Sequence, residues 1–193
     1  MHLPILASHL VNKRTVDLAL DLTGSYQLKN VKTVLSAVDQ LKNQGYVITD
    51  LHLRDALKQV KSSTGLMGRW EILNTQPLTI CDTGHNEHGM MEVIKNINNQ
   101  SYNRLHMVIG MVKDKDITKV LSLLPKKAIY YFCQPAIERA KEVQDLALEA
   151  AEFGLIGEAF ESVNAAYNAA KKAAKKEDMI FIGGSTFVVG EII

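Results

Sequence analysis

The pattern of apolar and polar residues in the first third of the chain predicts one strand followed by one helix. Apolar and polar side chains alternate from Val16 to Leu22, as in a half-buried strand, and Thr23-Gly24-Ser25 interrupts the alternation. Apolar residues then recur at helical spacing as far as Asn43-Gln44-Gly45. Because Asn30 directly precedes this apolar run, we expect it to be the helix N-cap.

A second amphipathic stretch, from Asp50 to Val60, also has helical spacing. The residues that follow it, 61–68, include serines, a threonine and two glycines, which favour an irregular connection. We therefore expect a linker there, with one domain over residues 1–66 and a second over residues 67–193.

Beyond the linker, short apolar runs alternate with amphipathic stretches, which is typical of an α/β protein with a mostly parallel sheet and helices on both faces. The predicted strands are Arg69–Leu73, Leu78–Cys81, Leu105–Gly110, Ala128–Cys133, Gly157–Phe160 and Met179–Ile182. Helices are predicted to start near Asn86, Asp116, Ala140 and Ser162. The last helix has the clearest pattern, a single apolar stripe made of Val163, Ala166, Tyr167, Ala170 and Ala174.

Composition narrows the class of protein. A chain of 193 residues with 47% hydrophobic content can form a packed core, and its 22 Lys and Arg nearly balance its 21 Asp and Glu. Without a basic surplus, neither nucleic acid nor an acidic membrane surface is an expected partner. Cys81 and Cys133 lie in apolar runs, which favours buried, reduced thiols.

The sequence offers no signal for a membrane or for export. No apolar run approaches the roughly 20 residues of a membrane-spanning helix. The start of the chain, Met1-His2-Leu3-Pro4, lacks the basic residues of a signal peptide. Together with the reduced cysteines, these observations lead us to expect a cytoplasmic location.

Candidate chemistry is concentrated where the predicted strand ending at Cys81 meets the next helix. Asp82, His85, Asn86 and Glu87 follow this strand in close succession. The start of a helix exposes backbone N–H groups, so a carboxylate, an imidazole and a carboxamide at this point can hold and orient an anionic ligand. Helix capping requires only one such side chain. The cluster therefore indicates a binding site.

Two further loops follow predicted strands, and in parallel sheets ligands bind at the carboxyl ends of strands. In residues 110–116, Asp114 or Asp116 either caps the next helix or faces a ligand. In Gly183-Gly184-Ser185-Thr186, the glycines allow the backbone to approach a ligand, and the hydroxyls lie beside free N–H groups. Such a loop can cradle a carboxylate or a phosphate, although Gly-Gly-Ser is also an ordinary turn.

Several nucleotide-binding and hydrolase motifs are absent from the sequence. No Gly-Lys dipeptide occurs, so the chain has no phosphate loop of the form G-x-x-x-x-G-K-[ST]. No two glycines are separated by a single residue, which excludes G-x-G-x-x-G, and G-x-S-x-G is also missing. The chain is therefore not expected to bind a nucleoside triphosphate through a loop of its own.

Five segments together resemble folylpolyglutamate synthase/dihydrofolate synthase, a family within the Mur ligase superfamily. They are residues 23–30, Gly68-Arg69-Trp70-Glu71, Asp82-Thr83-Gly84-His85-Asn86, residues 110–116 with Lys115-Asp116, and residues 184–191. Their order and spacing also agree, from near Val16 to the last residue. The resemblance implies a Rossmann-like Mur ligase C-terminal domain over residues 67–193, preceded by the tail of a central ATP-binding domain.

The resemblance implies part of an ATP-dependent ligase. In the complete enzyme, ATP with Mg²⁺ converts a carboxylate of folate or dihydropteroate into an acyl phosphate, and the amine of glutamate displaces the phosphate to form an amide. In such reactions, positioning of the reactants provides most of the rate acceleration. The phosphate loop would belong to an N-terminal ATPase part that this chain lacks. We therefore expect the chain alone to be inactive and to bind no cofactor strongly.

The residue roles come from the matched motifs. Positions of the family that contact the nucleotide are matched by Asn30, Arg69 and Asp82. Positions that hold the incoming glutamate are matched by His85, as a donor to a carboxylate, and by Ser185. Asn86 is expected to support the turn or to contact the same carboxylate. Considered singly, Asn30 could be only a helix cap and Arg69 only a surface cation, and the resemblance assigns no catalytic residue and no metal ligand.

The turn departs from the family at Glu87, which stands where proline is usual. A carboxylate there could weaken glutamate binding or simply favour the helix start, and we favour the second interpretation. A muramoyl-peptide ligase remains an alternative, since those enzymes share the Asp-x-x-His-Asn turn. A zinc metallohydrolase could use His85 and His88, with Asp82 and Glu87 nearby. A regulatory module that binds glutamate without an ATP domain is the third alternative.

Overall fold

The computed structural model describes residues 5–11, 14–113 and 117–193, and the chain divides into two compact units. One unit ends at Arg69, and the other extends from Trp70 to Ile193. None of the described helices combines the length and the apolar character that crossing a bilayer requires.

The first unit contains an antiparallel pair of strands followed by helices. Strand β1 (Ile5–Val11) pairs with β2 (Arg14–Leu20), and the helices are α1 (Gln27–Asn43), α2 (Asp50–Lys58) and α3 (Val60–Thr64). The described apolar core of this unit consists of Leu18, Leu20, Val31, Leu35, Leu53 and Leu57. The Asp21 carboxylate accepts the backbone N–H of Lys61 at 2.8 Å, so the end of β2 is tied to α3.

A six-stranded sheet forms the centre of the second unit. Its strands are β3 (Glu71–Thr75), β4 (Leu78–Cys81), β5 (Leu105–Ile109), β6 (Ile129–Cys133), β7 (Gly157–Phe160) and β8 (Met179–Gly183). They lie side by side in the order β3-β4-β8-β5-β6-β7, and of these strands β3 alone is antiparallel to its neighbour. The prediction of a mostly parallel sheet is confirmed.

Helices pack on both faces of this sheet. They are α4 (Glu87–Asn98), α5 (Thr118–Leu123), α6 (Val143–Glu152), α7 (Val163–Ala173) and α8 (Thr186–Gly190). Met107 and Ile109 of β5 belong to the apolar core that includes residues of α4, α5 and α6, whereas Val108 belongs to a second core with α7 and α8. Successive side chains of a strand point to opposite faces, so burial on both faces explains why the strands are nearly continuous apolar runs.

The single strand predicted from Val16 to Leu22 is instead the second of two strands, β2, and it spans Arg14–Leu20. Two further sequence-based expectations about the first unit were wrong. Helix α1 begins at Gln27, and Tyr26 occupies the N-cap position, so Asn30 is not the N-cap. The reason is that the N–H of Gln27 already bonds to the carbonyl of Gly24 at 2.9 Å, which starts the helical turn before Asn30. Helix α3 also extends to Thr64 and occupies part of the stretch 61–68 that was expected to be an irregular linker.

In the second unit, the starts of two elements differ from the predictions by more than one residue. Helix α6 begins at Val143 rather than near Ala140, because Ala140 forms a bridge with Val112 and the N–H of Lys141 bonds to the Met111 carbonyl at 2.9 Å. Strand β3 begins at Glu71 rather than at Arg69, since the φ of +51° at Trp70 is incompatible with extended backbone. The helix start expected near Asp116 lies outside the described residues.

Candidate functional site

The loops that were singled out in the sequence converge at the carboxyl edge of the sheet. Strands β4, β8, β5 and β6 are consecutive neighbours in the sheet and all run in the same direction. The segments that follow them are therefore adjacent, although they are far apart in sequence. Ligands of open α/β sheets bind at this edge.

Glycines allow the strand ends at this edge to approach one another closely. A Cβ atom on Gly184, whose φ is +88°, would lie 2.8 Å from the carbonyl oxygen of Gly110. A Cβ atom on Gly183 would lie 2.8 Å from the carbonyl oxygen of Asp82, and one on Gly110 would lie 2.6 Å from that of Cys133. The sequence suggested that the glycines make room for a ligand. In the structure they make room for the neighbouring strands.

His85 and Ser185 line the same cleft. The cleft has a volume of about 60 Å³, and its other lining residues include Arg139, Thr186, Met111, Ile117 and Phe187. The two side chains come from different loops, the one after β4 and the one after β8. The structure therefore brings together the two residues that the resemblance connects with glutamate.

The imidazole of His85 is oriented by a backbone carbonyl. Its Nδ1 lies 3.0 Å from the carbonyl oxygen of Thr83, and a carbonyl can only accept a hydrogen bond, so Nδ1 bears a proton. In the neutral imidazole Nε2 is then an acceptor, and it becomes a donor only in the imidazolium form. Because the ring is exposed, Nε2 is accessible to a ligand.

Ser185 is buried and begins the last helix. Only 3% of its surface is exposed, and its Oγ accepts the backbone N–H of Phe187 at 3.2 Å as the N-cap of α8. A capping hydroxyl uses a lone pair for this bond, so its own proton remains to be donated. Ser185 can therefore cap the helix and donate to an anion in the cleft.

Asp82 is buried, with 2% exposure, and both of its carboxylate oxygens are engaged by backbone groups. Oδ2 accepts the N–H of Trp70 at 2.8 Å, and Oδ1 accepts the N–H of Gly84 at 2.8 Å. This carboxylate therefore joins the turn before β3 to the turn after β4. Such a structural role was not predicted from the sequence.

Asn86 and Glu87 both stabilise the start of α4. The Oδ1 of Asn86 accepts the N–H of Gly89 at 2.8 Å, which makes Asn86 the N-cap. Glu87 is the first residue of the helix, where a negative charge is favourable, and it also lies 3.4 Å from the ammonium of Lys119. Asn86 therefore caps α4, and its contact with a ligand carboxylate stays a prediction.

Asn30 and Arg69 belong to the first unit and are not among the residues that line the cleft of His85. Asn30 is exposed on α1, and its Nδ2 donates to the Gln27 side chain at 2.9 Å. Arg69 is exposed and stands between Gly68 and Trp70, whose φ values are both positive. The structure thus places the residues expected at the nucleotide on separate segments, α1 and the turn before β3.

Sequence reasoning missed Arg139. This residue lies in the loop after β6, and its guanidinium carbon is 5.1 Å from the centroid of the Phe187 ring. It lines the cleft beside His85 and Ser185. A signal was available, since the loop follows a predicted strand of a parallel sheet.

The remaining candidates gain little from the geometry. Asp114, Lys115 and Asp116 lie outside the described residues. Among the described residues, no group of three or more His, Cys, Asp or Glu side chains is arranged to hold a metal ion, so His85 and His88 do not gain the further ligands that zinc would need.

Burial, together with the charge of Glu191, raises the pKa of the Cys133 thiol, which therefore stays protonated.

Comparisons with known proteins agree with this architecture. Residues 68–186 match the model of the family described as Mur ligase, glutamate ligase domain. The chain is 28% identical over 180 residues to a probable bifunctional folylpolyglutamate synthase/dihydropteroate synthase of Haloferax volcanii, covering 92% of this chain and 20% of that protein. It is 30% identical over 165 residues to dihydrofolate synthase/folylpolyglutamate synthase of Escherichia coli, covering 85% of this chain and 37% of that enzyme.

Solved structures give the same result. FolC of Escherichia coli, in complex with DHPP and ADP, superposes with a TM-score of 0.77 at 26% sequence identity, covering 94% of this chain and 41% of that one. This chain thus spans between 20% and 41% of the length of these three proteins. Since the family model covers well over half of its residues, the chain belongs to the Mur ligase family, of which residues 68–186 form the glutamate ligase domain.

Proposed function

We propose that this chain supplies the glutamate-binding part of an ATP-dependent ligase that joins glutamate to folate or dihydropteroate. The observation that supports the proposal most strongly is the common cleft of His85 and Ser185, together with relatives that are named folylpolyglutamate synthase or dihydrofolate synthase. Those names also favour a folate acceptor over a muramoyl peptide. The two domains of the proposal are a tail of the central domain, residues 1–66, and the glutamate ligase domain, residues 67–193.

The proposed reaction forms one amide bond. ATP, when bound with Mg²⁺, supplies the phosphoryl group that converts the acceptor carboxylate into an acyl phosphate, with release of ADP. The glutamate amine then attacks the acyl carbon, the carbon–oxygen bond to phosphate breaks, and the nitrogen loses a proton. When glutamate is bound in a fixed orientation, the attack takes place within one complex. Positioning therefore lowers the entropic part of the activation barrier.

His85 and Ser185 are assigned to a carboxylate of glutamate. His85 contacts the carboxylate through Nε2, while its Nδ1–H stays on the Thr83 carbonyl. Ser185 donates its hydroxyl proton from the rim of α8.

Asn30, Arg69 and Asp82 are assigned to the nucleotide. Asp82 is assigned as an acceptor of hydrogen bonds from the ribose hydroxyls, since a carboxylate can only accept. Arg69 is assigned to neutralise phosphate charge. The described residues hold no ready cluster of carboxylates for Mg²⁺, so the ATP phosphates and the upstream ATPase part would provide its ligands.

Calorimetric titration with L-glutamate tests the binding assignment. His85→Ala and Ser185→Ala are each expected to weaken binding about tenfold, the loss that follows from one charge-assisted hydrogen bond. His88→Ala is the matched control, because it removes a second exposed histidine three positions along the same helix start. Equal affinities of all four proteins would overturn the assignment.

Isotope transfer tests the proposed chemistry in a ligase that includes this domain. With ¹⁸O in the acceptor carboxylate, an acyl phosphate transfers one labelled oxygen to the released phosphate. Unlabelled phosphate would contradict this mechanism.

A further inference from the structure

Three neighbouring strands of the sheet are each preceded by exposed cations. Strands β8, β5 and β6 lie side by side and run in the same direction, so the residues before them meet at the amino edge of the sheet. Neighbouring strands are about 4.8 Å apart, so these cations form a short row, although they are far apart in sequence. This amino-edge row consists of Lys175 and Lys176 before β8, Arg104 before β5, and Lys126 and Lys127 before β6.

The charges of the amino-edge row are not neutralised by neighbouring carboxylates. Among the described residues, none of its side chains forms an ion pair with Asp or Glu. The connections that lead into the three strands contain two carboxylates, Glu177 and Asp178, and only Glu177 is exposed. Asp178 is turned inward, since it accepts the N–H groups of Arg104 at 3.1 Å and of Lys175 at 2.7 Å. The surface of this edge is therefore positively charged.

The helix dipole does not account for the amino-edge row. Cations are favoured in the last turn of a helix, and Lys95 of α4 and Lys171 and Lys172 of α7 occupy such turns. The residues of the row lie beyond the helix ends, in the connections between helices and strands. The row therefore adds positive charge that the stability of the helices does not require.

A polar groove of about 750 Å³ adjoins the amino-edge row. Lys176 belongs to both the row and the groove, and Asn103 of the groove directly precedes Arg104. Gln76, Gln100 and Asn103 line the groove with carboxamide groups. A carboxamide offers both a donor and an acceptor, as a peptide group does, so these side chains can pair with the backbone of an extended peptide.

Hydrogen bonds hold the walls of the groove together. The N–H of Asn103 bonds to the Glu177 carbonyl at 2.9 Å, which joins the connection before β5 to the connection before β8. The Nε2 of Gln100 donates to the Asn96 carbonyl at 3.2 Å, which orients the carboxamide of Gln100. The groove is therefore preformed, and a ligand would not have to order it.

We propose that the amino-edge row and the adjoining groove bind an acidic segment of a partner polypeptide in an extended conformation. Every second side chain of an extended chain points the same way, at a spacing of about 7 Å, so alternate carboxylates can face successive cations. The long side chains of lysine and arginine accommodate the difference from the strand spacing. The carboxamides of the groove bind the backbone of the same segment.

The charge of the whole chain favours a short acidic peptide over other polyanions. The net charge is only +1, so the row is a local feature and not part of a broad positive field. Binding of nucleic acid or of an anionic membrane depends on such a field. The row also lies at the edge of the sheet opposite the cleft of His85 and Ser185, so an acidic peptide does not compete with glutamate.

Fluorescence anisotropy with an octapeptide of alternating aspartate and serine tests the proposal. The peptide carries fluorescein on its amino terminus and an amide at its carboxyl terminus, so it has no free α-carboxylate for the cleft of His85 and Ser185. The chain is expected to bind it saturably, with an affinity that falls as the salt concentration is raised. The peptide with asparagine in place of aspartate should bind more weakly, as should a single-stranded DNA octamer and phosphatidylserine vesicles.

Two double variants separate the row from other surface charges. Lys175→Gln/Lys176→Gln should bind the aspartate peptide about fivefold more weakly, as the loss of two exposed ion pairs predicts, and with a smaller dependence on salt. Lys32→Gln/Lys58→Gln is the matched control, because it removes two exposed lysines from α1 and α2, and it should retain the affinity.

Gln76→Ala tests the groove. This variant removes an uncharged contact, so binding should weaken about threefold while the dependence on salt stays the same. An affinity equal to that of the wild type would overturn the assignment of the groove.

The other contrary outcomes concern the row. Absence of saturable binding, equal affinity for the aspartate and asparagine peptides, or equal losses in the two double variants would overturn the proposal. Tighter binding of the DNA octamer or of the vesicles would overturn it as well, since the row would then recognise a different class of polyanion. Each of these results leaves the proposed glutamate site unaffected.

Discussion

The carboxylate of Asp82 holds the backbone of Trp70 in a conformation that tryptophan rarely adopts. The N–H of Trp70 donates to Oδ2 of Asp82 at 2.8 Å, and the φ of Trp70 is +51°. A left-handed conformation costs a residue with a Cβ atom about 1–2 kcal/mol. The hydrogen bond and the burial of the indole, which is only 5% exposed, offset this cost.

Replacement of Asp82 should therefore destabilise the second unit. Asp82→Ala leaves the N–H groups of Trp70 and Gly84 without their acceptor, with an expected loss of about 2–4 kcal/mol. Asp82→Asn should lose less, because the amide oxygen can still accept one of the two bonds. Urea unfolding followed by the fluorescence of Trp70, the single tryptophan of the chain, reports on this unit directly.

Asp55→Ala is a suitable control, since it removes an exposed carboxylate from α2. If the unfolding midpoint of Asp82→Ala matched that of this control, the hydrogen bonds of Asp82 would not contribute to the free energy of unfolding.

A methyl group at Gly184 should disturb the cleft. Its Cβ would lie 2.8 Å from the Gly110 carbonyl oxygen, and the φ of +88° is itself unfavourable for alanine. We expect Gly184→Ala to lose about 1–3 kcal/mol of stability and to weaken glutamate binding. Thermal unfolding and calorimetry measure the two effects. Gly190→Ala is the control, since its Cβ would meet nothing within 4 Å, and a similar result for the two variants would refute the close approach.

Acid should destabilise the second unit through a buried pair at the amino edge of the sheet. The Nδ1 of His106 lies 3.0 Å from the Tyr131 hydroxyl, and its Nε2 lies 3.5 Å from Oδ2 of Asp178. Burial lowers the pKa of His106, with a smaller contribution from Arg104, although Asp178 opposes the shift. Burial alone would raise the pKa of Asp178, but hydrogen bonds from the backbone N–H groups of Lys175 and Arg104, together with the nearby His106 imidazole, outweigh it and hold the pKa low.

The pKa shifts of His106 and Asp178 change the stability of the folded protein in the same direction. The folded protein binds fewer protons at His106 and Asp178 than the unfolded chain does, so stability falls as the pH is lowered. The effect of His106 begins near its ordinary pKa of 6.5, and it amounts to at most about 1.4 kcal/mol for each pH unit. His106→Asn should flatten this part of a stability–pH curve, whereas His52→Asn, at an exposed position, should not. A gain of stability on acidification would show that the charged pair is favoured instead.

Periodicity predicted the central strands of the second unit well because they are buried on both faces. Leu78–Cys81 was predicted with its observed bounds, since short apolar runs between turns are typical of central parallel strands. The edge strand Gly157–Phe160 was also predicted with its observed bounds, although its first two residues are exposed. Boundaries failed where backbone hydrogen bonds from distant residues decide the structure. The bridge between Val112 and Ala140 moves the start of α6 to Val143, and no local sequence pattern indicates this bridge.

The candidate site was predictable as a set of loops but not as a set of contacts. A carboxylate, an imidazole and a Gly-Gly-Ser turn at strand ends indicated His85 and Ser185. The same signals could not show that Asp82 would use both oxygens on backbone N–H groups, because Trp70 reaches it only through the fold. Arg139 was missed for a similar reason, since its partner Phe187 lies in α8, which is distant in sequence.

The most direct test of the account is the location of glutamate on the chain. In a ¹⁵N–¹H spectrum of the labelled protein titrated with L-glutamate, the amides of Gly84, His85, Ser185 and Phe187 should shift together with one saturating dissociation constant. The amides of Gln100 to Asn103, which line a second concavity at the opposite edge of the sheet, should stay in place. Shifts confined to that second group, or no saturable shifts at all, would contradict the claim that the cleft of His85 and Ser185 binds the amino acid.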